Sequence, residues 1–91
     1  MPLRVEFYGM ARQWSGLREV GIEPAGGQMT LAAALAGLAG AVPRFGEKCL
    51  VGGCLHPALV ANLDGQQFVT DPATPIRNGQ ALLILSADAG G

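Results

Sequence analysis

The sequence ends in two glycines, Gly90-Gly91, and this end is the part of the chain best suited to chemistry. An apolar run at positions 82–85 and a short polar segment lead up to it. Because glycine has no side chain and a permissive backbone, two of them make a narrow, flexible arm. Such an arm can carry its terminal carboxylate into a confined site on another protein. A reacting nucleophile must come within about 3–3.5 Å of the carbonyl carbon, and a Cβ at either position would hinder that approach.

A second group that can do chemistry consists of two cysteines and the single histidine, Cys49, Cys54 and His56. Their C-x₄-C-x-H spacing suits metal binding or thiol redox chemistry. The group supplies only three ligands, whereas a closed structural zinc site uses four, and free cysteines are commonly small buried hydrophobic residues. We therefore predict no metal site, expect His56 to be a loop residue, and retain a small metal-binding module as an alternative.

Composition and charge restrict the class of protein. A chain of 91 residues, 49% of them apolar and 14% charged, is sufficient for one domain with a single aliphatic core. A net charge of −1 with scattered Lys and Arg gives no electrostatic basis for binding nucleic acid. No apolar segment is long enough to span a bilayer, and the first residues lack the apolar stretch of a secretory signal. We expect a cytoplasmic protein with neither nucleic acid nor membrane as a partner.

The first half of the chain predicts a β-hairpin followed by a helix. Residues 3–7 alternate apolar and charged side chains, and residues 20–23 alternate again, so they are expected to pair around a loop at 10–16. Thr30 is a good N-cap for the helix that follows. The leucines that share one face of this helix are Leu31, Leu35 and Leu38. Gly40 is expected just past the helix end, and Pro43 is expected to prevent the helix from resuming.

The second half predicts a further hairpin and a buried last strand. Asp64-Gly65 separates the strand-like residues 59–63 and 66–69, and Asp-Gly suits a tight hairpin turn. Residues 71–80 contain two prolines and Asn78-Gly79, so an ordered turn is expected there. The last strand, residues 81–85, is apolar without alternation, which is typical of a central strand buried on both faces.

These elements predict an α+β protein with a β-grasp fold. The last strand is expected beside the first in a mixed sheet, with the main helix packed on one face and supplying the crossover. We assign residues 1–85 to this domain and residues 86–91 to a flexible C-terminal tail.

The chain resembles the ubiquitin-like sulfur carriers of the MoaD/ThiS family along essentially its whole length. The segments that carry the resemblance are Phe7-Tyr8-Gly9, the Thr30-capped helix, Val60-Ala61-Asn62, Pro75-Ile76-Arg77-Asn78-Gly79-Gln80, Leu83-Ile84-Leu85 and Ala89-Gly90-Gly91. The chain departs from the family in its Asn-Gly-Gln turn, where the family usually has Asp-Gly-Asp or Asp-Gly-Glu. It departs again at Ser86 and Asp88, where proline and an apolar residue are usual.

The resemblance implies that the chain is a carrier and performs no catalysis. An E1-like adenylating enzyme would use ATP to activate Gly91, sulfur would replace the adenylate as a thiocarboxylate, and Gly90 and Ala89 would be recognised with the tail. No stably bound cofactor is implied. A sulfur-accepting synthase would be the second partner, and the large subunit of molybdopterin synthase is the leading one. Sulfur transfer for cysteine, thiamine or thiolated tRNA, protein conjugation, and a β-grasp interaction module with an incidental Gly-Gly end are the alternatives.

Overall fold

The computed structural model describes residues 2–88 of the chain. In chain order, its elements are β1 (Leu3–Phe7), α1 (Met10–Ser15), β2 (Glu19–Ile22), a 3₁₀ turn (Ala25–Gly27), β3 (Gln28–Thr30), α2 (Leu31–Ala41), α3 (Pro43–Cys49), β4 (Leu50–Val51), β5 (Cys54–Leu55), β6 (Leu59–Leu63), β7 (Gln67–Val69), β8 (Pro75–Arg77) and β9 (Ala81–Ser86). Among residues 2–88, none of these helices is both long and apolar enough to cross a membrane.

The C-terminal strand β9 lies in the middle of a five-stranded mixed sheet of order β2-β1-β9-β6-β7. It pairs in parallel with β1, where Val5 lies opposite Leu82, and antiparallel with β6, where Ala61 lies opposite Ile84. β1 and β2 form one antiparallel hairpin, and β6 and β7 form the other. The predicted position of the last strand beside the first is confirmed, and so are both predicted hairpins.

Helix α2 begins and packs as its sequence predicts. The Thr30 hydroxyl accepts a hydrogen bond from the backbone N–H of Ala33 at 3.1 Å, which caps the helix. The three leucines on its predicted face are all buried against the sheet: Leu31, Leu35 and Leu38. They meet the buried side chains of the central strands, so one face of the sheet forms the core.

Two short helices were not predicted. The segment expected to be a loop at 10–16 forms α1, which buries Ala11 and Ser15 and ends at Gly16 with φ 78°. A helix of six residues has little intrinsic stability, so the packing of its buried side chains against the rest of the domain decides its conformation. The prediction of a loop was wrong because only the tertiary contacts stabilise this turn of helix.

The expectation for Pro43 was also wrong. Instead of preventing a further helix, Pro43 begins α3, where its missing N–H costs nothing because the first N–H groups of a helix have no intrahelical acceptor. Gly40 lies inside α2, and the chain bends at Val42, whose N–H donates to the Leu38 carbonyl at 2.7 Å. The bend buries Phe45, whose ring centre lies 5.7 Å from that of Phe7.

Two turns hold β9 in register. Asp64 and Gly65 both have positive φ, 57° and 70°, as the predicted hairpin requires. The Asp64 carboxylate also accepts the backbone N–H of Ala81 at 2.8 Å and the side-chain amide of Gln80 at 3.1 Å. The turn before β9 therefore uses a neutral Gln80 to join the two loops. Part of the segment predicted as a turn at 71–80 forms β8, which pairs with β3.

Candidate functional site

The predicted reacting residue Gly91 and the predicted recognition residues Gly90 and Ala89 lie outside the described residues. The geometry available for the site is therefore that of its base, where the chain leaves the sheet. Residues 87 and 88 form a turn after β9, and Asp88 is exposed. The base of the tail thus lies at the end of the central strand, beside both neighbouring strands.

Ser86 belongs to the folded domain. The sequence placed it in the tail, but it is the last residue of β9 and only 6% of its surface is exposed. It lies on the same face of the strand as Leu82 and Ile84, since side chains alternate along a strand. The described fold therefore continues past the predicted boundary at residue 85.

The other face of β9 is open, which the sequence did not predict. Leu83 and Leu85 are partly exposed, although an apolar run without alternation suggested burial on both faces. The register places Val60 opposite Leu85 and Phe68 on the next strand, opposite Asn62. We call Val60, Phe68, Leu83 and Leu85 the sheet patch; Phe68 alone is 53% exposed. The patch lies at the tail base because Leu85 directly precedes Ser86, and exposed apolar patches of this kind commonly bind partners.

A polar cluster borders the sheet patch on β1. The Glu6 carboxylate accepts the hydroxyl of Tyr8 and pairs with Arg4, whose Nε lies 2.6 Å from Oε2. The Tyr8 hydrogen bond, and after it the Arg4 hydrogen bond, lower the pKa of Glu6 below its ordinary value. The Arg12 guanidinium lies 5.6 Å from the centre of the Tyr8 ring, within cation–π range. The patch therefore has a hydrogen-bonded, charged rim on the side of β1.

An apolar groove of about 470 Å³ adjoins the sheet patch, because Val60 and Phe68 belong to both. Its walls come from the start of α2, the β4–β5 hairpin, and strands β6 and β7; Ala87 and Phe68 both line it. A partner that approaches the tail thus meets continuous apolar surface beside the strand end.

The cysteine–histidine group does not assemble into a site. Cys49 is buried, and burial raises the pKa of its thiol, whereas Cys54 is exposed at the hairpin. The His56 and Trp14 rings pack in a T-shaped arrangement with centres 5.0 Å apart, and the His56 Nδ1 accepts the backbone N–H of Ala58 at 3.0 Å. Within residues 2–88, no group of three or more His, Cys, Asp or Glu side chains is placed to hold a metal ion. Cys49 and His56 here serve packing and a turn.

Neither a protein-family model nor a curated protein sequence matches the chain. Among solved structures, a crystal structure of small archaeal modifier protein 1 from Haloferax volcanii matches with a TM-score of 0.80 and 20% identity, covering 100% of both chains. Another crystal structure of that modifier gives a TM-score of 0.75 at 19% identity, covering 92% of this chain and 94% of that one. A Haloferax volcanii protein solved in solution gives 0.67 at 19% identity, covering 100% and 87%. With the strand order described above, these similarities establish the predicted ubiquitin-like β-grasp fold.

Proposed function

We propose that the chain is a ubiquitin-like sulfur carrier that receives sulfur on the terminal carboxylate of Gly91. The observation that carries the proposal is the order of features at the C-terminal end. A central strand, anchored on both edges, reaches Ser86, and only three residues then lead to the two terminal glycines. The rigid strand and the narrow glycine end are therefore close together in the chain. This arrangement suits a carboxylate that must enter the site of another protein.

The chemistry of the carboxylate explains why partners are needed. At neutral pH a terminal carboxylate is ionised, and its negative charge resists nucleophilic attack. An E1-like enzyme would join the carboxylate oxygen to the α-phosphorus of ATP, releasing pyrophosphate and leaving an acyl-adenylate. A persulfide sulfur then attacks the carbonyl carbon and AMP leaves. When a thiol cleaves the sulfur–sulfur bond, the sulfur stays on Gly91 as a thiocarboxylate.

The surface around the tail base suits the docking that this scheme requires. The sheet patch and the adjoining groove lined by Ala87 present apolar surface beside the strand end. The activating enzyme and the synthase would each bind this surface while the tail enters their active sites. In this scheme the chain itself catalyses nothing and binds no cofactor, because ATP is bound by the activating enzyme.

Molybdopterin synthesis is the pathway that we propose first, with the chain as the small partner of a larger catalytic subunit in the cytoplasm. The support for it is the resemblance of the sequence to the MoaD/ThiS family. A second candidate function is protein modification, favoured by the name of the similar Haloferax volcanii structures, small archaeal modifier protein 1. In that case a lysine amine of a target protein would attack the activated Gly91 and form an isopeptide bond.

Adenylation by the E1-like enzyme encoded in the same genome tests the proposal. A chain that lacks Gly90 and Gly91 should fold normally, since the described core lies within residues 2–88, but should support no ATP–pyrophosphate exchange. A chain extended by one alanine beyond Gly91 is the matched control, because it retains both glycines but displaces the carboxylate; it should also be inactive. Exchange with either variant at the native rate would refute the carrier proposal.

Intact mass spectrometry of the chain from its native host separates the candidate functions. A mass gain that corresponds to one oxygen replaced by sulfur, localised to Gly91, supports the sulfur carrier. Isopeptide conjugates to lysines of other proteins support the modifier. An interaction module with an incidental end would show neither species and would tolerate the extra alanine in every assay.

A further inference from the structure

The hydroxyl of Ser86 caps helix α1 across 76 residues of sequence. Its Oγ accepts the backbone N–H of Met10, the first residue of the helix, at 2.8 Å. The first N–H groups of a helix have no acceptor within the helix, and Gly9, which precedes it, has no side chain to supply one. The last residue of the central strand therefore performs the capping that the local sequence does not.

Gly9 leaves the space that this contact requires. It has φ 56° and ψ −127°, a conformation that glycine adopts without strain. A Cβ built on Gly9 would lie 2.4 Å from the Ser86 Oγ, closer than the two atoms can approach. The glycine and the buried serine are therefore a matched pair, and the turn between β1 and α1 closes directly over the end of β9.

Backbone hydrogen bonds also hold the end of β9 from both sides. The N–H of Tyr8 donates to the carbonyl of Ile84 at 2.9 Å, on the β1 side. The N–H of Ala87 donates to the carbonyl of Ala58 at 2.8 Å, on the β6 side. Ser86 lies between these two bonds, and its side-chain bond adds the tie to α1.

We propose that Ser86 is a positioning residue, which fixes the point and direction in which the C-terminal tail leaves the domain. This inference rests on the proposed function. When the tail base is held by α1, little freedom is lost as Gly91 enters the activating enzyme. Without the hydroxyl, the strand end loses its tie to α1, and more of the ordering of the tail base has to occur on binding. The effect falls on the KM for the carrier, because chemistry at the bound carboxylate is unchanged.

The test compares Ser86→Ala with Ser15→Ala in ATP–pyrophosphate exchange over a range of carrier concentrations. Each variant removes one hydroxyl that accepts a backbone N–H at an end of α1: Ser86 accepts that of Met10 at its start, and Ser15 accepts that of Leu17 just past its end. Ser15 belongs to neither the sheet patch nor the groove. We expect Ser86→Ala to raise KM roughly three- to tenfold with kcat within about twofold of native. Ser15→Ala should leave both constants unchanged. If Ser86→Ala does not fold, Ser86→Cys fills the same position with a slightly larger atom and weakens the same hydrogen bond, because sulfur is a poor acceptor.

The outcomes separate this inference from the function on which it rests. Equal KM values for the native chain, the Ser86 variant and the Ser15 variant would overturn the positioning role while the carrier function stands. A native chain that supports no exchange would overturn both. A higher KM in the Ser86 variant alone, together with faster amide exchange at Ala87, is the result that the positioning role requires.

Discussion

Replacing Gly9 with alanine tests whether the turn over the strand end and the Ser86 hydroxyl form one packed unit. The substitution has two costs. Alanine at φ 56°, ψ −127° is strained by about 1–3 kcal/mol. Its Cβ would also lie 2.4 Å from the Ser86 Oγ and would push that oxygen away, which breaks the hydrogen bond from the Met10 N–H. A buried donor left without an acceptor costs about 1–3 kcal/mol. Gly9→Ala should therefore lower the free energy of unfolding by about 2–6 kcal/mol.

Gly52→Ala provides the matched control. Gly52 also has positive φ, 59°, but a Cβ there meets no atom within 4 Å. This variant should pay only the cost of backbone strain, about 1–2 kcal/mol. Equilibrium urea unfolding followed by circular dichroism measures both values.

A double-mutant cycle isolates the contact itself. In a Ser86→Ala background the hydroxyl is already absent, so Gly9→Ala should cost only the backbone term, and the coupling between the two positions should be about 1–3 kcal/mol. If Gly9→Ala cost the same in both backgrounds, the two residues would be independent, and the reasoning from the 2.4 Å approach would be refuted.

Two further substitutions test the open face of the sheet. Phe68→Asp should weaken binding to the activating enzyme about tenfold or more in a titration calorimetry assay, since Phe68 is 53% exposed in the sheet patch. The control is Leu17→Asp, at a 37% exposed position outside the patch, which should not weaken binding. Equal weakening by both variants would argue against docking through this face. Tyr8→Phe should raise the pKa of Glu6 toward its ordinary value near 4.5 in an NMR titration, because it removes the leading cause of the lowered pKa. Since the folded-state pKa is depressed, the stability that Glu6 contributes is present above about pH 4.5 and is lost as the pH falls through the folded-state pKa. The Tyr8→Phe variant should lose less stability over that pH range. An unchanged Glu6 titration in the variant would contradict the assignment of the hydrogen bond.

The elements that the sequence predicted correctly are those with local causes. The alternation in β1, the capping hydroxyl of Thr30 and the positive-φ turn at Asp64-Gly65 all act between residues close together in the chain. A fully apolar segment correctly indicated that β9 is central, because its two neighbours bury its edges.

The errors lie where distant segments decide the structure. Helix α1 and the start of α3 at Pro43 depend on burial of Ala11 and Phe45 in a common core, which no local pattern signals. Ser86 was assigned to the tail because its neighbours are small and polar, but its partner Met10 lies at the other end of the chain.

By itself, the sequence determined the five strands of the main sheet, the main helix, its cap and the two glycines that end the chain, since periodicity, capping and turn geometry are properties of neighbouring residues. Only the tertiary structure decided that one face of β9 is exposed as the sheet patch and that Ser86 is fixed against α1. Both outcomes depend on which segments meet across the sheet. A strand's composition states how apolar it is, whereas the elements packed on each face determine which side chains a partner can reach.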